Sequence, residues 1–361
     1  MMTRVPVEAV VVLPSLKISG GIREAFRLGH DLCEGDLPAS VLSMWDSPHP
    51  MECALPVTKL SGLRPRAIRA ALDLPVLMVR FARWLRRRGG PPQVLVFTHY
   101  ATLPLALLVP RRTRHFFVQG VEWNFVRGKV LSAMLRWIVV GIYRSGRIIS
   151  ANAFLSAQLR DAGLDVAFEA PIWADPAFAG RVDANRDLDF AMVLRKGAIK
   201  RLDLYLRFIE LARARGLRMV AITPEDEIAD AVRGQVDVLL LRPDAEQMRS
   251  AYERSRCFIL LSEHEGFGLP PLEAMGSGCV PICRDSGGVR AFMQDADSKD
   301  RLLPLDMPVD AIFERAAQFV AGEQGRARAS IAARACFDAG LRHVADARRQ
   351  LAASLLRQAG R

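Results

Sequence analysis

The chain has 361 residues, half of them hydrophobic and a quarter charged, which is the composition of a soluble globular protein with length for two domains of ordinary size. No apolar run reaches the roughly 18 to 20 residues of a membrane span. The six cysteines and six histidines have no zinc spacing, so buried reduced thiols are expected, Cys279 and Cys283 among them.

The run Ala9-Val10-Val11-Val12-Leu13 predicts a first strand near residues 7 to 14. It is too short for a signal-peptide core and follows Glu8 rather than a basic leader, which makes cytoplasmic residence the expectation. Ser19-Gly20-Gly21 comes next and opens a helix from about Ile22 to Cys33. Its backbone could approach a ligand phosphate or an acceptor, although a glycine pair after a strand also serves as a plain turn. A second strand is predicted over Ala39 to Met44. Residues 64 to 88 then hold eight arginines against one aspartate, interleaved with Leu74, Val76, Leu77, Phe81, Trp84 and Leu85. Part of this segment reads as a basic amphipathic helix for an anionic lipid surface, or equally as a solvated arginine face. The net charge of +11 could also suit nucleic acid, but no recognisable nucleic-acid module accompanies it.

Further strands are predicted at 93 to 98, 115 to 119 and 147 to 151, with His99 after the first and Gln119 after the second. The polar stretch Asp175 to Asp187 reads as an interdomain linker. A second series follows: a strand at Phe190 to Leu194, a helix over 203 to 214, strands at 218 to 223 and 237 to 241, a helix at 245 to 254 and a strand at 257 to 261. The Arg-rich tail from about 327 to 358 reads as helical. Alternating strands and helices indicate doubly wound parallel sheets, whose ligands bind beyond the carboxyl ends of the strands.

The most informative stretch runs from Ser262 to Met275. It follows a buried strand, carries Glu265, Gly266, Phe267, Gly268 and Leu269, and enters a helix through Pro270 and Pro271, where a missing N–H costs little. Free backbone N–H groups at 266 to 269, at the positive end of a helix dipole, suit an anion, and the glycines admit phosphate oxygens to the main chain. Glu265 before the helix and Glu273 in its expected first turn are acceptor-only side chains for hydroxyl groups on either side of a diphosphate. A Rossmann dinucleotide fingerprint fits poorly, because Pro271 stands where its third glycine belongs. Upstream, Arg195 offers a forked donor and Lys200 a point charge to two phosphates. The D-x-D pairs Asp187/Asp189 and Asp295/Asp297 are short matches that arise readily by chance, and no metal is assigned.

Glu265-x7-Glu273, continued through Gly276-Ser277-Gly278-Cys279-Val280-Pro281-Ile282 and Gly287-Gly288, resembles the signature of the retaining glycosyltransferases of family 4. Arg195-x4-Lys200 with Asp203 is similar to the same family, except that Arg201 stands where glycine is usual, which would alter the turn or add a third cation. Phe117-Val118-Gln119-Gly120-Val121-Glu122 looks like a polysaccharide or rhamnosyltransferase-like subgroup, with Gln119 where many members have histidine.

The resemblance implies the GT-B fold, two Rossmann-like domains facing a cleft, at 1–172 for the acceptor and 186–335 for the donor, with a last helix at 336–361 returning to the first. It implies transfer of a hexose or deoxyhexose from a nucleoside-diphosphate sugar to a cell-surface polysaccharide or glycolipid. No cofactor or metal takes part, and a peripheral position on the inner face of a membrane is expected. Catalytic roles would fall to Arg195, Lys200 and Glu265. Donor binding would fall to Gly20, Gly21, Arg195, Lys200, Glu265, Gly266, Phe267, Gly268, Leu269 and Glu273, and the acceptor side to His99 and Gln119. A nucleotide-binding scaffold without transfer and a sugar-nucleotide epimerase are the alternatives.

Overall fold

The computed structural model describes residues 7–17, 20–47, 50–51, 53–62, 70–125, 128–293 and 296–359. Ser19, Arg64, Arg66, Arg69 and Asp295 lie outside the described residues. The chain divides into two compact units, 1–172 with 344–361, and 173–343.

The first unit is built on β1 (Ala9–Leu13), β2 (Ala39–Ser43), β3 (Val57–Lys59), β4 (Val94–Phe97), β5 (Arg114–Val118), β6 (Arg147–Ser150) and β7 (Val166–Glu169). All pair in parallel, in the order β3-β2-β1-β4-β5-β6-β7. Parallel strands covered on both faces are apolar along their whole length rather than alternating, and β1 and β4 are buried at every residue. Helices α1 (Gly20–Glu34), α2 (Ala70–Arg87), α3 (Leu103–Ala106), α4 (Lys129–Tyr143) and α5 (Ala153–Asp161) connect the strands. Helix α1 buries Ile22, Ala25, Phe26, Leu28 and Leu32, the recurrence of one helical face. Asn152 caps α5 by accepting the Leu155 N–H at 2.7 Å, which satisfies one orphan donor of the first turn.

The second unit repeats the plan with β8 (Leu188–Val193), β9 (Met219–Thr223), β10 (Val238–Leu241), β11 (Ser255–Leu260), β12 (Val280–Arg284) and β13 (Leu302–Leu303), all parallel, in the order β10-β9-β8-β11-β12-β13. Its helices are α6 (Leu202–Ala214), α7 (Asp226–Val232), α8 (Ala245–Arg254), α9 (Leu269–Gly276), α10 (Ala296–Lys299) and α11 (Val309–Ala321), and α12 (Glu323–Ala359) closes the chain. Phe190, Phe208 and Phe313 anchor the core through edge-to-face contacts at 5.1 and 5.4 Å, a geometry favoured by the ring quadrupoles.

Two expectations are corrected. The stretch 175–187 is packed into the second unit: Phe178 is buried, and Arg186 donates to the Ser255 and Ser277 carbonyls at 2.6 and 2.7 Å. Arg186 and Asp187, which pairs with Arg254 at 2.7 Å, are thus engaged by the second unit rather than part of a free linker. Of the six thiols, Cys257, Cys279 and Cys283 are buried, Cys53 and Cys336 half-buried, and Cys33 exposed.

Helix α12 begins in the second unit, where Arg334 donates to the Gly180 carbonyl at 2.7 Å, and its last residues belong to the first unit. There Arg348, 3% exposed, pairs with Glu24 at 2.8 Å and with Asp31, and donates to the Pro171 carbonyl at 3.2 Å. Removing one partner of a buried ion pair strands the other charge, at a cost of about 3 to 5 kcal/mol. Arg348→Ala is therefore expected to lower unfolding free energy in denaturant titrations by about that amount. Arg349→Ala, whose pair with Asp346 is exposed, should cost less than about 1 kcal/mol.

Candidate functional site

Each sheet reverses strand order once, between β1 and β4 in the first unit and between β8 and β11 in the second. The crevice outside the carboxyl ends at such a point is where open α/β sheets hold ligands. In the second unit the loops leaving β8 and β11 carry Arg195, Lys200 and Glu265. Lys200 Nζ donates to both carboxylate oxygens of Glu265, each at 2.8 Å, with the carboxylate 13% exposed. The two expected residues therefore meet, and the ammonium, with three donors, keeps one N–H beyond those two bonds.

Main-chain bonds fix that pair. Glu263 N–H donates to the Ile199 carbonyl at 2.8 Å, Glu265 N–H to Ser286 at 3.0 Å, and Gly288 N–H to Glu265 at 3.2 Å. A Cβ on Gly288 would lie 2.6 Å from the Gly266 carbon and the Phe267 nitrogen, so only glycine permits this approach. Gly268 caps α9 with φ of +88°, a left-handed conformation that costs glycine nothing. Among the described residues, the N–H groups of Gly266, Phe267 and Gly268 donate to no backbone acceptor. They precede the helix N-terminus together, with Leu269 as its first residue.

Glu273, 4% exposed, is the fifth residue of α9, one past the expected first turn, because the helix begins at Leu269 rather than later. Arg195 is exposed and pairs with Glu225 at 3.5 Å, while Glu225 also accepts the Lys196 N–H at 2.7 Å. Arg201 keeps the glycine-like turn, with φ of +51°, and its guanidinium grips Asp203 at 2.7 Å. The departure from glycine thus leaves the turn intact, and its charge is neutralised locally instead of adding a third cation. Asp187 and Asp189 are engaged by arginines, Asp187 by Arg254 at 2.7 Å and Asp189 by Arg256.

Three residues that sequence reasoning passed over shape this site. Glu225 orients the Arg195 loop. The buried Tyr205 hydroxyl accepts the Leu261 N–H at 2.9 Å, and buried Arg284 donates to the Leu261 carbonyl at 3.1 Å, so both polar groups at the β11 exit are held. Burial raises the Tyr205 pKa and lowers that of Arg284. The sequence signal was a tyrosine inside an apolar helix face and an arginine ending an apolar strand, both of which read as ordinary.

In the first unit Gly20 and Gly21 are the first two residues of α1. Gln119 Nε2, after β5, donates to the Gly21 carbonyl at 3.0 Å, which brings two predicted residues together. His99 caps a single 3-10 turn, its Nδ1 accepting the Ala101 N–H at 3.1 Å, and burial lowers its pKa to about 4. The ring is accordingly neutral with the proton on Nε2, which makes it a hydrogen-bond donor rather than a base at neutral pH. Beyond Gln119, Glu122 is buried, with Oε1 accepting from the Tyr143 hydroxyl at 2.5 Å and Oε2 buried without a partner. Desolvation raises its pKa to about 7.

These elements define a two-unit α/β scaffold of parallel sheets with a glycine loop leading into a helix N-terminus. Across its length the chain shares the GT-B fold with solved structures. It aligns with sucrose-phosphate synthase from Thermosynechococcus elongatus at a TM-score of 0.78, 12% identity, 97% of this chain and 98% of that one. It aligns with a TarM variant from S. aureus in complex with Fondaparinux, alpha-GlcNAc-glycerol and UDP at 0.70, 11% identity, 98% and 100%. Residues 226–335 match the family of glycosyl transferases group 1, a segment that takes in Glu265, Gly268 and Glu273 but not Arg195 or Lys200. Over 112 residues the chain is 34% identical to the GDP-mannose:cellobiosyl-diphosphopolyprenol alpha-mannosyltransferase of Xanthomonas oryzae pv. oryzae (strain PXO99A), covering 30% of this chain and 28% of that protein.

Glu122 gives a pH signature. Its folded pKa lies above the ordinary value of 4.5, so the unfolded chain releases this proton first and the contribution to stability falls as pH rises from about 4.5 to 7. Glu122→Gln removes the titration. Unfolding free energy measured across that window should fall for the wild type relative to the variant by up to about 3 kcal/mol. Parallel pH profiles for the two proteins would contradict the assignment.

Proposed function

We propose that this protein is a retaining, metal-independent glycosyltransferase. It moves a hexose or deoxyhexose from a nucleoside-diphosphate sugar to a cell-surface polysaccharide or a lipid-linked acceptor, working at the inner face of a membrane. The observation that carries this reading is the Lys200–Glu265 pair beside the N–H groups of residues 266–268, which donate to no backbone acceptor among the described residues. That arrangement offers one ammonium N–H and a row of backbone donors to a diphosphate, and a carboxylate to the sugar hydroxyls. The group 1 match over 226–335 supports it.

In this mechanism the bond from the anomeric carbon to the diphosphate oxygen breaks, and positive charge spreads over the sugar ring. The acceptor oxygen forms its bond on the same face and passes its proton to the leaving phosphate oxygen. Preorganised charge at the departing diphosphate lowers the barrier. Arg195 and Lys200 supply the cations, and Gly266, Phe267, Gly268 and Leu269 the backbone amides. Glu265 orients the hexose and Glu273 the ribose. Gly20 and Gly21 line the donor side of the first unit, and His99 and Gln119 donate to acceptor hydroxyls. No enzyme carboxylate acts as nucleophile, which separates this chemistry from the paired carboxylates of glycoside hydrolases.

Turnover of UDP-, GDP-, dTDP- and ADP-sugars with candidate acceptors, read by release of the nucleoside diphosphate and by NMR of the product anomer, tests this. Lys200→Ala should lose about 10²- to 10³-fold in kcat, and Glu273→Ala should raise the donor KM about tenfold or more, the loss of one hydrogen bond to a charged group. A donor KM unchanged in Glu273→Ala would remove that residue from the site. Activity abolished by a chelator and restored by Mn²⁺ would overturn metal independence, and donor conversion without any acceptor would assign an epimerase.

A further inference from the structure

Helix α4 of the first unit carries a face that its own fold does not cover. Val130, Leu131, Met134, Trp137 and Ile138 are between 47% and 80% exposed, with Trp137 the most open at 80%. Their spacing of i, i+1, i+4, i+7 and i+8 is that of one helical stripe. The opposite side of the same helix buries Val139, Val140 and Tyr143, with the Tyr143 ring 5.1 Å from that of Phe116, so the helix is seated on its own unit by one face and presents a second apolar face outward. Val130, Ala133, Met134 and Trp137 line a shallow hollow there. Contiguous exposed apolar surface of this kind marks an interaction site.

Charge selects the partner. From Leu103 to Arg144 the sequence has seven basic residues and one acid, Glu122, and Glu122 is buried. On α4 itself Arg136 is exposed, Arg144 follows the helix and is exposed too, and the helix contains no carboxylate. A second copy of this chain would set these cations against their own kind, whereas an anionic surface complements them. At 15 residues α4 is too short to cross a bilayer, and no helix among the described residues is long and apolar enough to do so. A tryptophan within an apolar stripe, with arginines beside it, suits the boundary between headgroups and acyl chains.

We propose that α4 is the membrane-contact element of this protein, lying in the plane of an anionic bilayer with Trp137 and Met134 inserted and Arg136 and Arg144 on the phosphates. The sequence placed such a contact on residues 64–88. Within the described part of that segment, α2 buries Leu77, Phe81 and Leu85, so its main apolar face is occupied by the fold. Helix α3 packs against both α2 and α4. The inference rests on the membrane-surface part of the functional reading and not on its transfer chemistry.

The test is cosedimentation of the full chain with vesicles of phosphatidylglycerol and phosphatidylcholine, and with phosphatidylcholine alone. Both side chains are exposed, so Met134→Glu/Trp137→Glu should fold with an unchanged thermal transition. Wild type should bind the anionic vesicles, weaken as salt rises, and bind phosphatidylcholine alone at least tenfold more weakly. The double variant should lose at least tenfold in binding, while its turnover of soluble donor and acceptor stays at the wild-type level. Binding of the double variant equal to wild type would overturn the proposal, as would absence of wild-type binding at low salt. A concentration-dependent dimer in sedimentation, abolished by the double variant, would assign the face to a second copy and overturn it likewise. Loss of transfer in a protein that still binds vesicles would count against the transfer reading alone.

Discussion

Everything at the second-unit site depends on how the loop leaving β11 satisfies its backbone. Residues 261–265 have left the sheet and have not entered α9, so each polar group needs a partner from elsewhere. Tyr205 and Arg284 hold Leu261, Ile199 takes the Glu263 N–H, and Ser286 and Gly288 bracket Glu265. Apart from the Tyr205 hydroxyl, which comes from α6, those bonds come from the exits of β8 and β12, on either side of β11 in the sheet. The loop is thereby tied to both neighbours, which sets the Glu265 carboxylate on Lys200. Among the described residues, the N–H groups of 266–268 donate to no backbone acceptor, and they lie in front of a helix N-terminus, where an anion is favoured by dipole and donors together.

This division explains why Gly288 and Gly268 occur where they do. Gly288 lets one backbone touch another, and Gly268 lets the chain turn left-handed into α9. Arg201 makes a similar turn without being glycine. A non-glycine residue in that conformation carries strain of order 1 kcal/mol, offset here by its bidentate grip on Asp203. The ion pairs of Arg195 with Glu225 and of Lys200 with Glu265 fix both cations at the exit of β8, and the proposed diphosphate would compete with those carboxylates for the same charges.

Much of the fold was legible because its strands are continuous apolar runs bounded by glycines and polar residues. The apolar runs at Ala9–Leu13 and Cys257–Leu261 read as strands and coincide with β1 and, to within a residue or two, β11; the helix read over 245–254 is α8, whose Asp244 and Gln247 capping box the structure adds. The edge strands β3 and β13 were not legible, since three exposed residues and a pair carry no period. Residues 175–187 misled for a related reason: Arg186 serves carbonyls of the second unit and Asp187 pairs with Arg254, tertiary roles that composition hides. At the site, Lys200 and Glu265 were legible as separate motifs but their mutual ion pair was not, because it joins residues 65 positions apart. Likewise His99 was legible as an acceptor-side candidate, whereas the Ala101 N–H that its Nδ1 accepts was not. The apolar face of α4 escaped notice because a helix rich in Val, Leu and Ile reads as core, and only exposure distinguishes it.

The central claim is that the N–H groups of 266–268, with Lys200 and Arg195, form a diphosphate cradle at the switch point of the second sheet. Amide hydrogen exchange of the wild-type protein with and without UDP, GDP, dTDP and ADP measures this at the backbone itself. The account predicts slowed exchange in 266–269 and in the 195–200 loop with one of these nucleotides at saturation. A nucleotide that binds and slows exchange only elsewhere, leaving both segments unchanged, would contradict it.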